Sequence, residues 1–455
     1  MIQFLKRFTG SIGLDRATAY TSAAQMVGTV GGFFTAMFIL WCLSKDEIGF
    51  YHTFKDVLSI QIFFELGMNT VITQYVAHEM PHLFWQGTIL VGEHRNRSRL
   101  ASLLRFCSRW YLFFSVLLLM VLIIGGTAFF NRYGAAYTDI EWKTPWLILC
   151  VTTALNLLLT PLFSFLQGLG KVTEVARYFF WKYLIYLLSV ILSFALGAKL
   201  YALSVGNISY VIVSLLFLFF TPLGRILWHL SKVRIVETIS YVKEIFPFQW
   251  KIALSWVSGY FIFRLFTPVL MATEGSATAG QMGMTLTVLT GIQALTYSWT
   301  STKIPLYSGF IEKKQYAPLD SLFNRTVKQA TALNLLLLIA FFLVLCFFRA
   351  TQLTIWGVNI ADRFLPLWPL VLMMVPEWLN QFITAWATYL RCHKQEPYLI
   401  NSVVTGLLCC LSTMWLGRAF GLSGITIGYC LITIGVTPWA YAVYRKKKRE
   451  WHQPE

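Results

Sequence analysis

Apolar runs of about twenty residues alternate with short polar stretches along the whole chain. Read in windows long enough to cross a bilayer, they predict twelve spans, at roughly 19–43, 49–76, 106–130, 145–168, 178–196, 201–221, 249–273, 280–304, 328–349, 364–390, 397–417 and 421–443. Only Gly197–Leu200 separates the fifth from the sixth, which predicts a tight hairpin. The longest polar stretches run to about thirty residues, too short for a soluble domain. The expectation is an all-α polytopic membrane protein of about twelve transmembrane helices.

Composition agrees: 57% of residues are hydrophobic and 13% charged, against about 25% charged in an ordinary soluble chain. The net charge of +17 would suggest nucleic acid in a soluble protein; here it reports topology. With the N-terminus cytoplasmic, 26 of the 37 Lys and Arg fall on the cytoplasmic side and 7 on the other. Both termini are therefore expected inside. The tail Arg445–Arg449 is a topology signal that also attracts anionic lipid headgroups. The eight cysteines form no CxxC pair and read as small packing residues, not as a disulfide framework or metal site. No cleavable signal peptide is expected; Ile2, Phe4, Leu5, Phe8 and Ile12 beside Lys6, Arg7 and Arg16 suggest a short interfacial lead-in. Outer loops are between about 2 and 14 residues long, which leaves little room for catalytic groups on the outer face.

The spans divide into two sets of six, residues 1–222 and 223–455, joined by a basic segment at 223–248. An offset of 231 residues pairs Gly28 with Gly259 and Gly49 with Gly280. Six plus six with the same entry side is the parallel-repeat pattern of transporters, which place a substrate site between the halves.

Several spans carry polar groups that hydrocarbon cannot solvate. At about 100° per residue, Lys55, Ser59, Glu65, Asn69 and Thr73 share an arc of about 120° on span two, with Asp56 at its edge. Lys55 then lies about 10 Å from the outer end and Glu65 about 25 Å, at different depths of one face. Span seven holds Arg264 with Trp256, Tyr260 and Thr267 on the same side. A guanidinium binds oxyanions in a fork, and aromatic faces cover sugar C–H surfaces. Span eight presents Gln281, Thr285, Thr296 and Trp299. Span ten places Glu377, Asn380, Gln381, Thr384 and Thr388 on one face, with Pro376 expected to break or kink the helix beside Glu377. Each has a plainer explanation. Glu65 and Glu377 can be structural, Lys55 can pair with Asp56 or snorkel, and hydroxyl stripes can join helices. His78, His82, His94 and His229 lack metal-ligand spacing.

Leu43–Glu79, LSKDEIGFYHTFKDVLSIQIFFELGMNTVITQYVAHE, resembles the first loop and second span of polysaccharide-repeat flippases of the multidrug/oligosaccharidyl-lipid/polysaccharide (MOP) exporter superfamily. The shared features are an acidic turn before Ile48-Gly49-Phe50-Tyr51 and the Glu65-Leu66-Gly67 motif; Phe165–Lys171 is similar to that family's Gln-Gly-Leu-x-Lys segment. The resemblance implies two six-helix lobes around a central cationic cavity in a bacterial inner membrane. It also implies an undecaprenyl-pyrophosphate-type oligosaccharide substrate, flipped to the outer leaflet by alternating access. Lys55 and Arg264, with Trp256, Tyr260 and Asn69, are the expected substrate contacts. Glu65 and Glu377, with Asn380 and Gln381, are expected to couple H+ or Na+ or to hold the cations. No Walker A motif or metal cluster is present in the sequence, and neither cofactor, catalytic residue nor nucleic-acid partner is expected. Lipid II flippases have a similar second span but carry arginines where this chain has Gln61 and Ile62. A drug/cation antiporter and, further off, a glycan polymerase or acyltransferase are the alternatives; span one lacks the acidic residue usual in the antiporters.

Overall fold

The computed structural model describes residues 16–452 except Leu353, Trp356 and Lys394; the interfacial lead-in expected before Arg16 and the cytoplasmic position expected for Lys394 lie outside the described residues. The described residues are all-α apart from two two-stranded hairpins. Eight helical runs among the described residues are long and apolar enough to cross a membrane. They cover the expected spans one, three to seven and nine, with eleven and twelve merged in one run. Span two is interrupted, and spans eight and ten carry the amide, hydroxyl and carboxyl side chains noted above.

Helix α1 (Arg16–Cys42) ends just before Ser44. The Ser44 hydroxyl accepts from the Glu47 amide, and the Glu47 carboxylate accepts from the Ser44 amide at 2.7 Å. This capping box starts α2 (Lys45–Leu58) and gives the acidic turn a structural purpose. Span two then departs from the continuous helix expected of it. A 3-10 turn at Ser59–Gln61 leads into α3 (Ile62–Glu65). Leu66 and Gly67 follow with φ of 48° and 66°, and only then does α4 (Met68–Glu79) begin. Left-handed backbone cannot continue a right-handed helix, and glycine tolerates it best. The 100° ladder from Lys55 to Thr73 therefore does not hold.

A hairpin of β1 (Leu83–Gln86) and β2 (Ile89–Gly92) precedes α5 (His94–Val121), which runs through a π turn at Leu122–Gly126 into α6 (Thr127–Tyr133). Next come α7 (Lys143–Gly168), α8 (Val172–Ala195), α9 (Tyr201–Phe220) and the short α10 (Pro222–Ser231). Span seven is α11 (Phe246–Phe263) and α12 (Phe266–Thr273), interrupted at Arg264–Leu265. Pro268 lies four residues beyond Arg264 and has no N–H to offer the Arg264 carbonyl, which accounts for the break. Then follow α13 (Ser276–Ser301), α14 (Ile304–Glu312), α15 (Tyr316–Thr351), the hairpin β3 (Thr354–Ile355) and β4 (Val358–Asn359), α16 (Leu367–Cys392) and α17 (Leu399–Trp451). The helix α16 continues across Pro376, so it does not break there. Gly421 turns the chain inside α17 with φ 55°, dividing spans eleven and twelve, and the Leu422 amide beyond it donates to Glu274 Oε1 at 2.6 Å.

The chain forms two compact units. Among the described residues, one contains 16–35 and Ile60–Ala253; the other contains Ala36–Ser59 and 254–452. Residues 223–253 thus pack with the first unit. Arg105 donates to the carbonyls of Ser231 and Val233, and Ser98 Oγ accepts from the amides of Val236 and Glu237. Arg99 forms ion pairs with Glu79 at 2.9 Å and Glu244 at 2.7 Å. In the second unit, α2 packs on α13 along a line of small residues. A Cβ at Gly49 would meet the Ser276 carbonyl oxygen at 2.0 Å, and one at Gly280 would meet the Gly49 nitrogen at 2.9 Å and the Lys45 oxygen at 3.1 Å. Gly283 lies against His52. Each of these pairs, 45 with 276, 49 with 280 and 52 with 283, is separated by the 231-residue offset. Equivalent residues meeting one another reciprocally is what an internal two-fold axis between α2 and α13 produces.

Candidate functional site

The expected site residues fall into three separate groups. In the second unit, the C-terminal turn of α2 and the break in span seven bring Lys55, Asp56 and Arg264 together. At the helix interruption the Arg264 amide still donates to the Tyr260 carbonyl at 2.9 Å, and its side chain is 46% exposed, while Asp56 is buried. Arg264 Nη1 donates to Asp56 Oδ1 at 3.3 Å. Lys55 is exposed and interacts electrostatically with both charges. The cluster therefore holds two cations against one carboxylate. Tyr260, one turn before Arg264 on α11, is buried, whereas Trp256 presents 38% of its surface. Two basic groups, one guanidinium among them, suit an oxyanion, and the accessible indole lies two turns earlier on α11.

The sequence places Asp56 at the edge of span two's polar face; in the structure it is the partner of Arg264. The signal lay in the adjacent Lys55-Asp56, but its meaning required knowing where span seven breaks.

Glu65 and Asn69 form the second group, in the first unit. Glu65 ends α3, and across the left-handed Leu66-Gly67 pair Asn69 Nδ2 donates to Glu65 Oε1 at 2.5 Å. The buried Tyr111 donates to Asn69 Oδ1 at 3.4 Å, and Thr73 donates to the Ser164 carbonyl at 3.0 Å. Asn69 is thereby joined to Glu65 and Tyr111 in a different unit from Lys55 and Arg264.

The third group belongs to α16. Glu377 is buried, and none of the described hydrogen bonds or ion pairs involves its carboxylate. Asn380 donates to the Tyr429 hydroxyl at 3.0 Å. Gln381 Oε1 accepts from Thr296 Oγ1 at 3.3 Å, and Thr296 in turn accepts from Asn334 at 3.2 Å. This chain of amides and hydroxyls ties α13, α15 and α16 together. The other span-eight groups are similarly engaged: Gln281 donates to the Asp362 carbonyl at 3.0 Å, and Thr285 accepts from the Leu365 amide at 3.2 Å. Among the described residues, no group of three or more His, Cys, Asp or Glu is placed to hold a metal ion.

No family model matches the sequence, and no curated protein matches it. Solved structures do match in fold. An inward-facing multidrug resistance MATE family transporter of the MOP superfamily superposes with a TM-score of 0.69 at 12% identity, covering 96% of this chain and 99% of its own. The lipid II flippase MurJ, in an inward closed conformation, superposes with a TM-score of 0.58 at 14% identity, covering 95% and 90%. A MOP superfamily transporter from Pyrococcus furiosus gives 0.51 at 13% identity, covering 96% of each chain. This chain has the fold of MOP-superfamily transporters over nearly its whole length.

Proposed function

We propose that the protein is a flippase that moves an isoprenoid-pyrophosphate-linked oligosaccharide from the inner to the outer leaflet of a bacterial inner membrane by alternating access. The observation that carries this reading is the Lys55–Asp56–Arg264 cluster. Charged groups within membrane spans are costly, and they persist where they face a cavity and meet a ligand. Here one carboxylate serves two accessible cations, so a positive charge is left for an anion. Pyrophosphate supplies the anion, and the exposed Trp256 suits the first sugar or the lipid-proximal edge. Glu65 and Glu377 are assigned to coupling, with H+ or Na+ exchanged for substrate; Asn380 and Gln381 position the helix that carries Glu377.

A drug or cation exporter is the second reading, favoured by the likeness to a MATE transporter. A cationic drug would meet Arg264 and Lys55 unfavourably, which is why the anionic substrate is preferred. Reconstitution of the purified chain in vesicles with either a fluorescent polyprenyl-pyrophosphate glycan or a cationic dye separates the two. The expected outcome is flipping of the anionic lipid, reduced at least tenfold by Arg264→Ala and by Lys55→Ala and largely retained in Arg264→Lys. Dye transport with no lipid flipping, or full flipping in both alanine variants at equal protein content, overturns the proposal.

A further inference from the structure

A cavity of about 390 Å³ opens on the first unit between α5, α7 and α10. Its walls are Leu104, Leu162 and Leu227 on the apolar side and Arg105, Ser108, Arg109, Trp228 and Ser231 on the polar side, with no acidic residue. Arg105 is fixed by its bonds to the Ser231 and Val233 carbonyls, which are neutral acceptors, and none of the described ion pairs involves it. The Arg109 side chain is exposed, and none of the described hydrogen bonds or ion pairs involves it.

The depth of the cavity in the bilayer can be read from α5. After Arg109 the chain carries no charged residue until Arg132. These 22 residues span about 33 Å at about 1.5 Å each, close to the roughly 30 Å hydrocarbon thickness. With the N-terminal end of α5 on the cytoplasmic side, Arg109 stands at the level of the inner-leaflet phosphates. The neighbouring α10 fits the same level. It buries Leu223, Ile226, Leu227 and Leu230 and exposes Arg225, Trp228 and, just past its end, Lys232. Lys232 Nζ lies 3.4 Å from the Trp228 ring centre. A short helix with an apolar inner face and an aromatic-cationic outer face lies in the interface.

We propose that this cavity is a binding site for an anionic phospholipid of the cytoplasmic leaflet, with Arg109 and Arg105 on the phosphate, Trp228 at the glycerol level and the three leucines against the start of an acyl chain. The lipid would pin α10, and with it the connection between the two six-span sets, to the membrane surface. The site is independent of the transported substrate.

The test is native mass spectrometry of the full-length protein in detergent, titrated with phosphatidylglycerol or phosphatidylcholine, alongside thermal unfolding with the same lipids or with inorganic phosphate. The wild type should retain phosphatidylglycerol over phosphatidylcholine. Arg109→Ala should lower that retention at least fivefold, and Arg109→Lys should restore most of it. Arg132→Ala makes the same charge change at the opposite end of the span and should bind as the wild type does. The proposal is overturned if Arg109→Ala binds normally or if Arg132→Ala loses as much. It is also overturned if inorganic phosphate alone stabilises the protein as phosphatidylglycerol does.

Discussion

At the scale of single residues, the contact between Gly49 and Gly280 determines how closely α2 and α13 approach. Both helices present backbone to backbone there, and any side chain at Gly49 would overlap the Ser276 carbonyl. Small residues at such crossings are the usual means of close packing between transmembrane helices, where lipid supplies little hydrophobic drive. Gly49→Val should therefore destabilise the protein by roughly 1–3 kcal/mol, seen as a lowered midpoint in detergent thermal unfolding. Gly259→Ala is the matched control, because a Cβ there meets nothing within 4 Å. Equal stability of Gly49→Val and wild type would show that the seam is loosely packed. The 231-residue offset was legible in the sequence from these glycines alone. That two of them touch each other was not, because a repeat in sequence does not say whether its copies meet on an axis.

At the scale of elements, breaks in helices were the least legible feature. Span two reads as one amphipathic stripe, yet the Leu66-Gly67 pair ends α3, and Glu65 bonds to Asn69 across it. Hydrophobic periodicity records which faces are polar but not where left-handed backbone resets the phase; only Gly67 hinted at it. The C-terminal end of α17 shows a different kind of local determinant. His452 stacks on Tyr316 with ring centres 4.1 Å apart, and His393 stacks on Trp451 at 4.3 Å. Asp320 pairs with Lys448 at 2.9 Å and accepts from Tyr389 at 2.9 Å; Tyr389 also reaches His452 Nε2 at 3.0 Å. Burial is the dominant influence on both imidazoles and holds their pKa values below the ordinary one. Asp320 opposes it at both, and the Tyr389 carbonyl opposes it at His393; Lys448 and His393 add to it at His452. The folded protein thus binds these protons less readily than the unfolded chain. Their contribution to stability is fully present above the ordinary histidine pKa of about 6.5 and is lost as pH falls below it. Thermal unfolding compared at pH 7.5 and 5.5 should show a larger drop for the wild type than for His393→Gln/His452→Gln. Parallel drops would mean that the two rings titrate freely and do not hold the helix end.

At the scale of the whole molecule, the expected orientation rests on charge asymmetry. Fold class and span count follow from apolar runs that the bilayer itself demands, so composition and window length suffice to find them. The division into units does not follow the sequence halves, because Ala36–Ser59 is held by α13 and residues 223–253 by the arginines of α5. Such tertiary commitments leave no mark in hydropathy. The asymmetry of 26 expected inner to 7 expected outer basic residues predicts that both termini face the cytoplasm. It makes a prediction that the fold alone cannot, since the same helices could be inserted either way. In a variant with all eight cysteines replaced, single cysteines at Ala135, before α7, and at Lys314, between α14 and α15, report opposite sides. In intact cells a membrane-impermeant maleimide should label Ala135→Cys and spare Lys314→Cys until the membrane is opened. Alkaline phosphatase fused after the basic tail should stay inactive. Labelling of Lys314→Cys in intact cells would invert the whole assignment. It would also move Arg109 to the outer leaflet, so the topology measurement bears on the proposed lipid site as directly as on the direction of transport.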